Sequence, residues 1–257
     1  MSALLETRHL QVQIAQQTIC TDLSVAFQPG QCWAILGING AGKTTLLHTL
    51  AGLRPAQSGD ILLQQRPLAE YPRRQLAQML GMLFQEIQDP FPSTVMETTL
   101  MGRHPYTKSW QWENAKDYRI ATEALTHVGL QHLTQRPINT LSGGERQRLA
   151  VATLLTQTPR LFLLDEPTNH LDLQYQHQIL MLFKRYAREQ ECTVVMILHD
   201  INLAARYCDH AMLLYIDQEP ECGISHQLLT ENNLSRLYNY RIGKIAGPDN
   251  RPVFIAL

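Results

Sequence analysis

Several things are scarce in this chain of 257 residues, and each scarcity excludes something. No apolar run reaches the roughly 18 residues that a membrane-crossing helix needs, so no span is expected. The N-terminus, Met-Ser-Ala-Leu-Leu-Glu-Thr-Arg, lacks the basic and apolar regions of a secretory leader. Excess charge is missing too. Lys and Arg number 22 against 23 Asp and Glu, a net charge of −1. With a pI of about 6.8 there is no electrostatic footprint for nucleic acid. The five cysteines, Cys20, Cys32, Cys192, Cys208 and Cys222, form no C-x-x-C pair. They read as small buried residues or free thiols in a reducing compartment, which points to the cytoplasm. No internal repeat or low-complexity tract is visible. The length suffices to bury a full core, as one domain or a domain plus a lobe.

What is present begins with Gly37-Ile38-Asn39-Gly40-Ala41-Gly42-Lys43-Thr44-Thr45, a full match to G-x-x-x-x-G-K-[ST]. It follows the apolar run Cys32-Trp-Ala-Ile-Leu36, which predicts a buried strand, and leads into Thr44–Gly52, which predicts a helix. Strand, glycine loop and helix are the context the motif requires. Glycines let the backbone wrap closely around phosphates, and a helix start offers free N–H groups and a positive dipole end. Lys43 is expected to pair with the β and γ phosphates, and Thr44 to place its hydroxyl on Mg²⁺.

Three further patterns lie downstream. Leu161-Phe-Leu-Leu-Asp165-Glu166 is an apolar run ending in two carboxylates. Strands of an open parallel sheet are buried on both faces, and acids at their carboxyl ends sit where ligands bind. Thr193-Val-Val-Met-Ile-Leu198 is a second such run and ends at His199. Between the phosphate loop and the acids lies Leu141-Ser142-Gly143-Gly144-Glu145-Arg-Gln147, the most informative stretch of the chain.

Together these runs resemble the ATP-binding subunits of ABC transporters, from about residue 5 to 240 and with the main motifs in family order. Residues 141–147 look like that family's signature motif, which closes over ATP held by a second copy of the domain. The resemblance implies ATP and Mg²⁺ as ligands, held by Gly37 to Thr45 and, for the metal, by Thr44, Gln85 and Asp165. It implies Glu166 as the residue polarising the attacking water, a task suited to a carboxylate within hydrogen-bond reach. It further implies His199 as the switch histidine on the γ-phosphate, Gln85 as the Q-loop glutamine, and Leu171-Asp172 as the D-loop. Ser142, Gly143 and Gly144 would complete the phosphate cage of the partner copy, so a homodimer of ATPase subunits is expected. One departure stands out. The family carries an aromatic about where Ile14 falls, stacking on adenine, and Leu10 to Gln17 contains none. Ile14 keeps only apolar contact, so weaker ATP binding or looser base preference is expected.

The segment after Gln85 bears on the partner, because in the family this lobe receives the membrane subunit. Phe91-Pro-Ser-Thr-Val95 followed by Gly102-Arg-His-Pro-Tyr106 resembles the importer ATPases for iron–siderophore, haem and cobalamin, as does Ile201 to Asp209. The implied protein is a peripheral subunit on the cytoplasmic face of the inner membrane. Transmembrane permease subunits and, indirectly, a periplasmic substrate-binding protein are its implied partners. Overall resemblance leans to cobalamin. Three other readings stay open: a soluble ABC ATPase acting on ribosomes, since Asp165 to Asp172 also resembles translation-factor ABC proteins; an exporter ATPase; and a nucleotide-sensing module without catalysis.

The fold class implied is α/β: a P-loop NTPase core, with a RecA-like parallel sheet and flanking helices, plus an N-terminal antiparallel β subdomain and a helical lobe. One ABC-type domain is expected over residues 1–240, with the core in 1–86 and 156–240 and the lobe in 87–155. Leu10 to Ile14 and Asp22 to Phe27 predict strands, with a turn at Gln28-Pro-Gly30. Glu113 to Val128 predicts an amphipathic helix with Tyr118, Ala121, Leu125 and Val128 inward. A second helix starts at the signature, capped by Ser142, with Leu149, Ala152 and Leu155 on its packed face. Strand–helix alternation over 156–240 implies parallel pairing. Residues 241–257 suggest no function.

Overall fold

A computed structural model describes residues 2–15, 17–85, 92–107, 112–247 and 252–257. These fall into two compact units, one made of Met1–Glu70 with Lys184–Leu257 and the other of Tyr71–Phe183. The motif-based division placed its boundaries near 86 and 156. The compact units divide elsewhere because Leu80–Leu83 and Leu161–Leu164 pair with each other inside the second unit.

The first unit opens with an antiparallel sheet in the order Gln17–Phe27, Leu5–Ile14, Ser58–Leu63, Arg66–Pro67. Period-2 patterning explains it. Leu23, Val25 and Phe27 point inward from the second strand while Ser24 and Ala26 between them are exposed. Leu5 lies opposite both Phe27 and Leu63, which fixes the register of the centre. Both strands are longer than the sequence pattern marks, because the polar outward positions hide their continuation.

The parallel strands of this unit are built differently. Cys32–Leu36 lies between Thr193–Ile197 and His210–Leu213, parallel to both, and Glu221–Ile224 pairs antiparallel with the latter. Every residue of Cys32–Leu36 and of Thr193–Ile197 is buried, as continuous hydrophobicity predicts for strands covered on both faces. Helices Lys43–Leu50, Ile201–Tyr207, Ser225–Leu228 and Glu231–Tyr238 follow the strands. The last residues, without a predicted role, form a hairpin of Ile242–Ala246 against Pro252–Ala256.

The second unit holds the parallel pair Leu80–Leu83 and Leu161–Leu164, with Leu80 opposite Leu161. Helices Val95–Leu100, Ala115–His127 and Gly143–Thr156 pack on one another. Each begins with a capping box, at Thr94/Glu97, Asn114/Asp117 and Ser142/Glu145. The prediction for Ala115–His127 needs one correction. Tyr118 is 48% exposed, whereas Asp117 is buried with Ala121, Ala124 and Leu125. The inner face is rotated because Asp117 both caps the helix and receives Arg103 Nε at 2.8 Å. A carboxylate paired inside displaces the ring that pattern alone would bury.

Candidate nucleotide site

The phosphate loop belongs to the first unit, between Cys32–Leu36 and Lys43–Leu50. Lys43 is buried, and its Nζ donates to the carbonyls of Gly37 at 2.8 Å and Ile38 at 2.9 Å. The loop therefore wraps around the ammonium group that the sequence singled out. Its glycines are needed sterically. A Cβ on Gly37 would lie 2.5 Å from the Leu214 carbonyl oxygen. Gly42, the N-cap residue, has φ of +92°, and a Cβ there would lie 2.6 Å from the Ile19 side chain. At exposed Gly40, by contrast, a Cβ meets nothing within 4 Å, so the loop faces open space. Asn39 is exposed there too, Ala41 is buried, and Thr44 and Thr45 lie half-buried in the first turn of the helix. A backbone this close-wound, opening onto free space at a helix start, fits a phosphate chain.

Two neighbours escaped the sequence reading. Gln17 Nε2 donates to the Gly40 carbonyl at 3.0 Å, and Ile19 packs under Gly42. Half-buried Ile14 pairs with Gln17 at the hairpin end, so the position lacking the aromatic is one strand pair from the loop. An open groove of about 780 Å³ runs beside it, lined by Gln17 to Thr21 and Ile216 to Glu219. His199 follows Thr193–Ile197 in the same unit and is exposed.

In the second unit, Leu161–Leu164 delivers Asp165, fully buried, and Glu166, about nine-tenths buried. Glu166 has φ of +50°, a left-handed conformation uncommon for a non-glycine residue. Asn169 Nδ2 donates to Glu166 Oε2, and Gln147 Nε2 donates to the Pro167 carbonyl at 3.3 Å. Neither Asn169 nor Gln147 was singled out by the sequence, although both lie inside the quoted motifs. The signature helix begins as predicted. Ser142 Oγ accepts from the Glu145 N–H at 3.3 Å, and Glu145 Oε2 accepts from the Ser142 N–H at 2.7 Å. The Ser142 N–H foremost, with the Ser142 hydroxyl second, holds the Glu145 carboxyl below its ordinary value. Ser142 and Gly143 are exposed at the helix start, and Gly144 is packed against the His170 carbonyl. Leu149, Ala152 and Leu155 are buried.

Gln85 is exposed just after Leu80–Leu83. Asp172 Oδ1 accepts from the Tyr175 N–H at 2.9 Å, capping the helix Leu173–Gln190. Of the run Phe91–Val95, Phe91 lies outside the described residues, while Thr94 caps Val95–Leu100. Gly102 and Arg103 point inward, and His104 and Met101 are exposed.

A phosphate loop wound on its lysine, an acidic strand end and a serine-capped glycine helix are the parts of a P-loop nucleotide hydrolase. The family described as ABC transporter matches residues 20–169, and the chain belongs to it as an ATP-binding, ATP-hydrolysing subunit. It is 36% identical to the hemin import ATP-binding protein HmuV of Burkholderia ambifaria, over 97% of this chain and 98% of that protein. It is 34% identical to the petrobactin import ATP-binding protein FpuD of Bacillus anthracis, over 90% and 86%. It is 40% identical to the ABC transporter ATP-binding protein YvrA of Bacillus subtilis over 81% of this chain, but spans only 49% of YvrA. Among solved structures, a metal-chelate-type ABC transporter in an inward-facing conformation superposes with a TM-score of 0.86 at 29% identity, covering 99% of this chain and 97% of that one. These likenesses bear out the α/β P-loop fold with its antiparallel β subdomain.

Proposed function

We propose that this protein powers uptake of a metal chelate, haem or a ferric siderophore, as the ATPase of a multi-subunit importer. The observation that carries the reading is likeness over the whole chain to a metal-chelate-type transporter, 29% identical at a TM-score of 0.86. Relatives named for hemin and petrobactin import support it. Cobalamin rests on the sequence resemblance alone. The ribosomal and exporter readings have no counterpart among the relatives reported above.

Two copies would pair head to tail, each offering Ser142 and the Gly143 and Gly144 amides to the ATP on its partner's phosphate loop. Lys43 would exchange its two carbonyl contacts for the β and γ phosphates, a charge-assisted gain. Ile14 would lie against the base. Glu166 would accept a hydrogen bond from the attacking water, whose oxygen displaces ADP from the γ-phosphorus, and His199 would hold the γ-phosphate. Mg²⁺, when bound, would neutralise phosphate charge, with the Thr44 hydroxyl, Gln85 and Asp165 as the groups to hold it. A ligand bridging the closed form more tightly than the open one shifts that equilibrium, and hydrolysis reverses it. Permease subunits would receive that motion at the cytoplasmic face of the inner membrane, with a periplasmic binding protein delivering the chelate. No helix among the described residues is long and apolar enough to cross a membrane.

The test is uptake of labelled haem and of a labelled ferric siderophore in cells whose only copy carries Glu166→Gln. Loss of one substrate supports the reading and names the cargo. Wild-type uptake of both overturns it.

A further inference from the structure

The helix Ile201–Tyr207 starts two residues after His199. Asp200 caps it, Oδ1 accepting from the Asn202 N–H at 2.7 Å and the Leu203 N–H at 3.1 Å. The Asn202 side chain points elsewhere, to the C-terminal hairpin. Its Nδ2 donates to the Phe254 carbonyl at 3.0 Å, and its Oδ1 accepts from the Phe254 N–H at 2.8 Å. One carboxamide thus satisfies both main-chain groups of a single residue on an edge strand, in the manner of a neighbouring strand. A carboxylate could accept from that N–H but could not donate to the carbonyl.

The hairpin is anchored at its other strand. The Ile242 N–H donates to Ser235 Oγ at 2.9 Å and the Lys244 N–H to Glu231 Oε1 at 2.7 Å, both on the helix Glu231–Tyr238. The Leu257 N–H closes the base on the Arg241 carbonyl at 3.0 Å, and Phe254 is 5% exposed. The same helix ends in Tyr238, whose buried hydroxyl lies within electrostatic reach of Asp200. Burial foremost, with that carboxylate second, pushes the hydroxyl up to about 12.

We infer that the C-terminal hairpin is a positioning device for His199: through Phe254 it clamps Asn202, and so fixes the helix start that follows the histidine. This rests on the proposed role of His199 and assigns a task to residues 241–257. Asn202 touches no reacting atom and acts through its neighbour.

The test measures kcat and KM for ATP, ATP binding by equilibrium dialysis and Tm on the full-length protein. Variants are Asn202→Ala, Asn202→Asp, removal of residues 241–257, the combination of Asn202→Ala with that removal, and His199→Ala. Loss of two hydrogen bonds predicts a fall in kcat of about tenfold for Asn202→Ala, with KM and ATP binding within about twofold. Asn202→Asp should fall at least as far, and the combined variant no further than either change alone. Wild-type kcat in Asn202→Ala, beside an inactive His199→Ala, overturns the hairpin's role while leaving the histidine's intact. Wild-type turnover in His199→Ala removes the histidine reading itself. Parallel losses of ATP binding, kcat and Tm would reduce the hairpin to a structural prop and overturn the inference. If the truncated chain does not fold, the Asn202 variants decide alone.

Discussion

Asn169 hydrogen-bonds the carboxylate of Glu166 from three residues further along the same turn. The Asn169 N–H also reaches the Glu166 carbonyl at 3.2 Å, and Gln147 reaches in from the signature helix to the Pro167 carbonyl. These contacts hold Glu166 at φ of +50°, a backbone state that costs on the order of 1 kcal/mol or more. The turn is therefore shaped by its neighbours, and glutamine at 166 would still offer Asn169 an acceptor. Glu166→Gln should keep its Tm and its ATP affinity while turnover falls by roughly 10²–10⁴-fold, the usual worth of a general base. Hydrolysis beside equilibrium dialysis of ATP checks this. Turnover within tenfold of wild type would end the assignment of Glu166 as the base.

Asn169→Ala isolates the positioning part of that turn. The carboxylate stays but can rotate, so kcat should fall roughly 10- to 100-fold with KM for ATP little changed, as one hydrogen bond to a charged group is worth about 1.5–3 kcal/mol. Equal losses in kcat and in ATP binding would mean that Asn169 supports the fold rather than the carboxylate.

What the sequence disclosed is what lies in contiguous strings. The phosphate loop, the two acids and the serine cap each carry their chemistry within a few residues, so motif and local geometry coincide. What it concealed depends on distant partners. Gln17 meets Gly40, and Asn202 meets Phe254 across 52 positions. Arg103 reaches Asp117 and the Thr156 carbonyl, the latter 53 positions away. Amphipathic period placed Tyr118 inside and could not place Asp117 there, because a buried carboxylate is legible only once its arginine is known.

That buried pair makes a pH-dependent prediction. Arg103 and Asp117 side chains are 6% and 5% exposed, and Arg103 also donates to the Thr156 carbonyl at 3.1 Å and stacks on Tyr106. Burial pushes the Asp117 carboxyl up, but the Asn114 N–H and Arg103 outweigh it and hold it below 3.8. A depressed folded value means stabilisation that is complete above the ordinary value and lost as pH falls through the folded one. Asp117→Asn strands the guanidinium, at a cost of about 3–5 kcal/mol near neutrality. Melting curves from pH 7 to 3 should show a large Tm deficit in Asp117→Asn that narrows below pH 3.8. Parallel curves at all pH values would show that the pair contributes no charge-dependent stability.

Ile14 offers the opposite kind of test, a gain. It sits half-buried at the hairpin end, paired with Gln17, which in turn holds Gly40 of the phosphate loop. An aromatic there would present a flat face beside the loop where the chain now offers a branched aliphatic. Base–aromatic stacking is worth about 1–3 kcal/mol in nucleic-acid complexes. Part of that should be recovered by Ile14→Tyr, because the isoleucine already supplies apolar contact. ATP affinity should rise about fivefold in Ile14→Tyr, with kcat unchanged. The gain should be smaller for a triphosphate whose base stacks less well. Titration of ATP and UTP by calorimetry reads both effects. An equal gain for the two nucleotides would indicate a tighter hairpin end rather than a stacked base, and no gain for either would place the base away from residue 14.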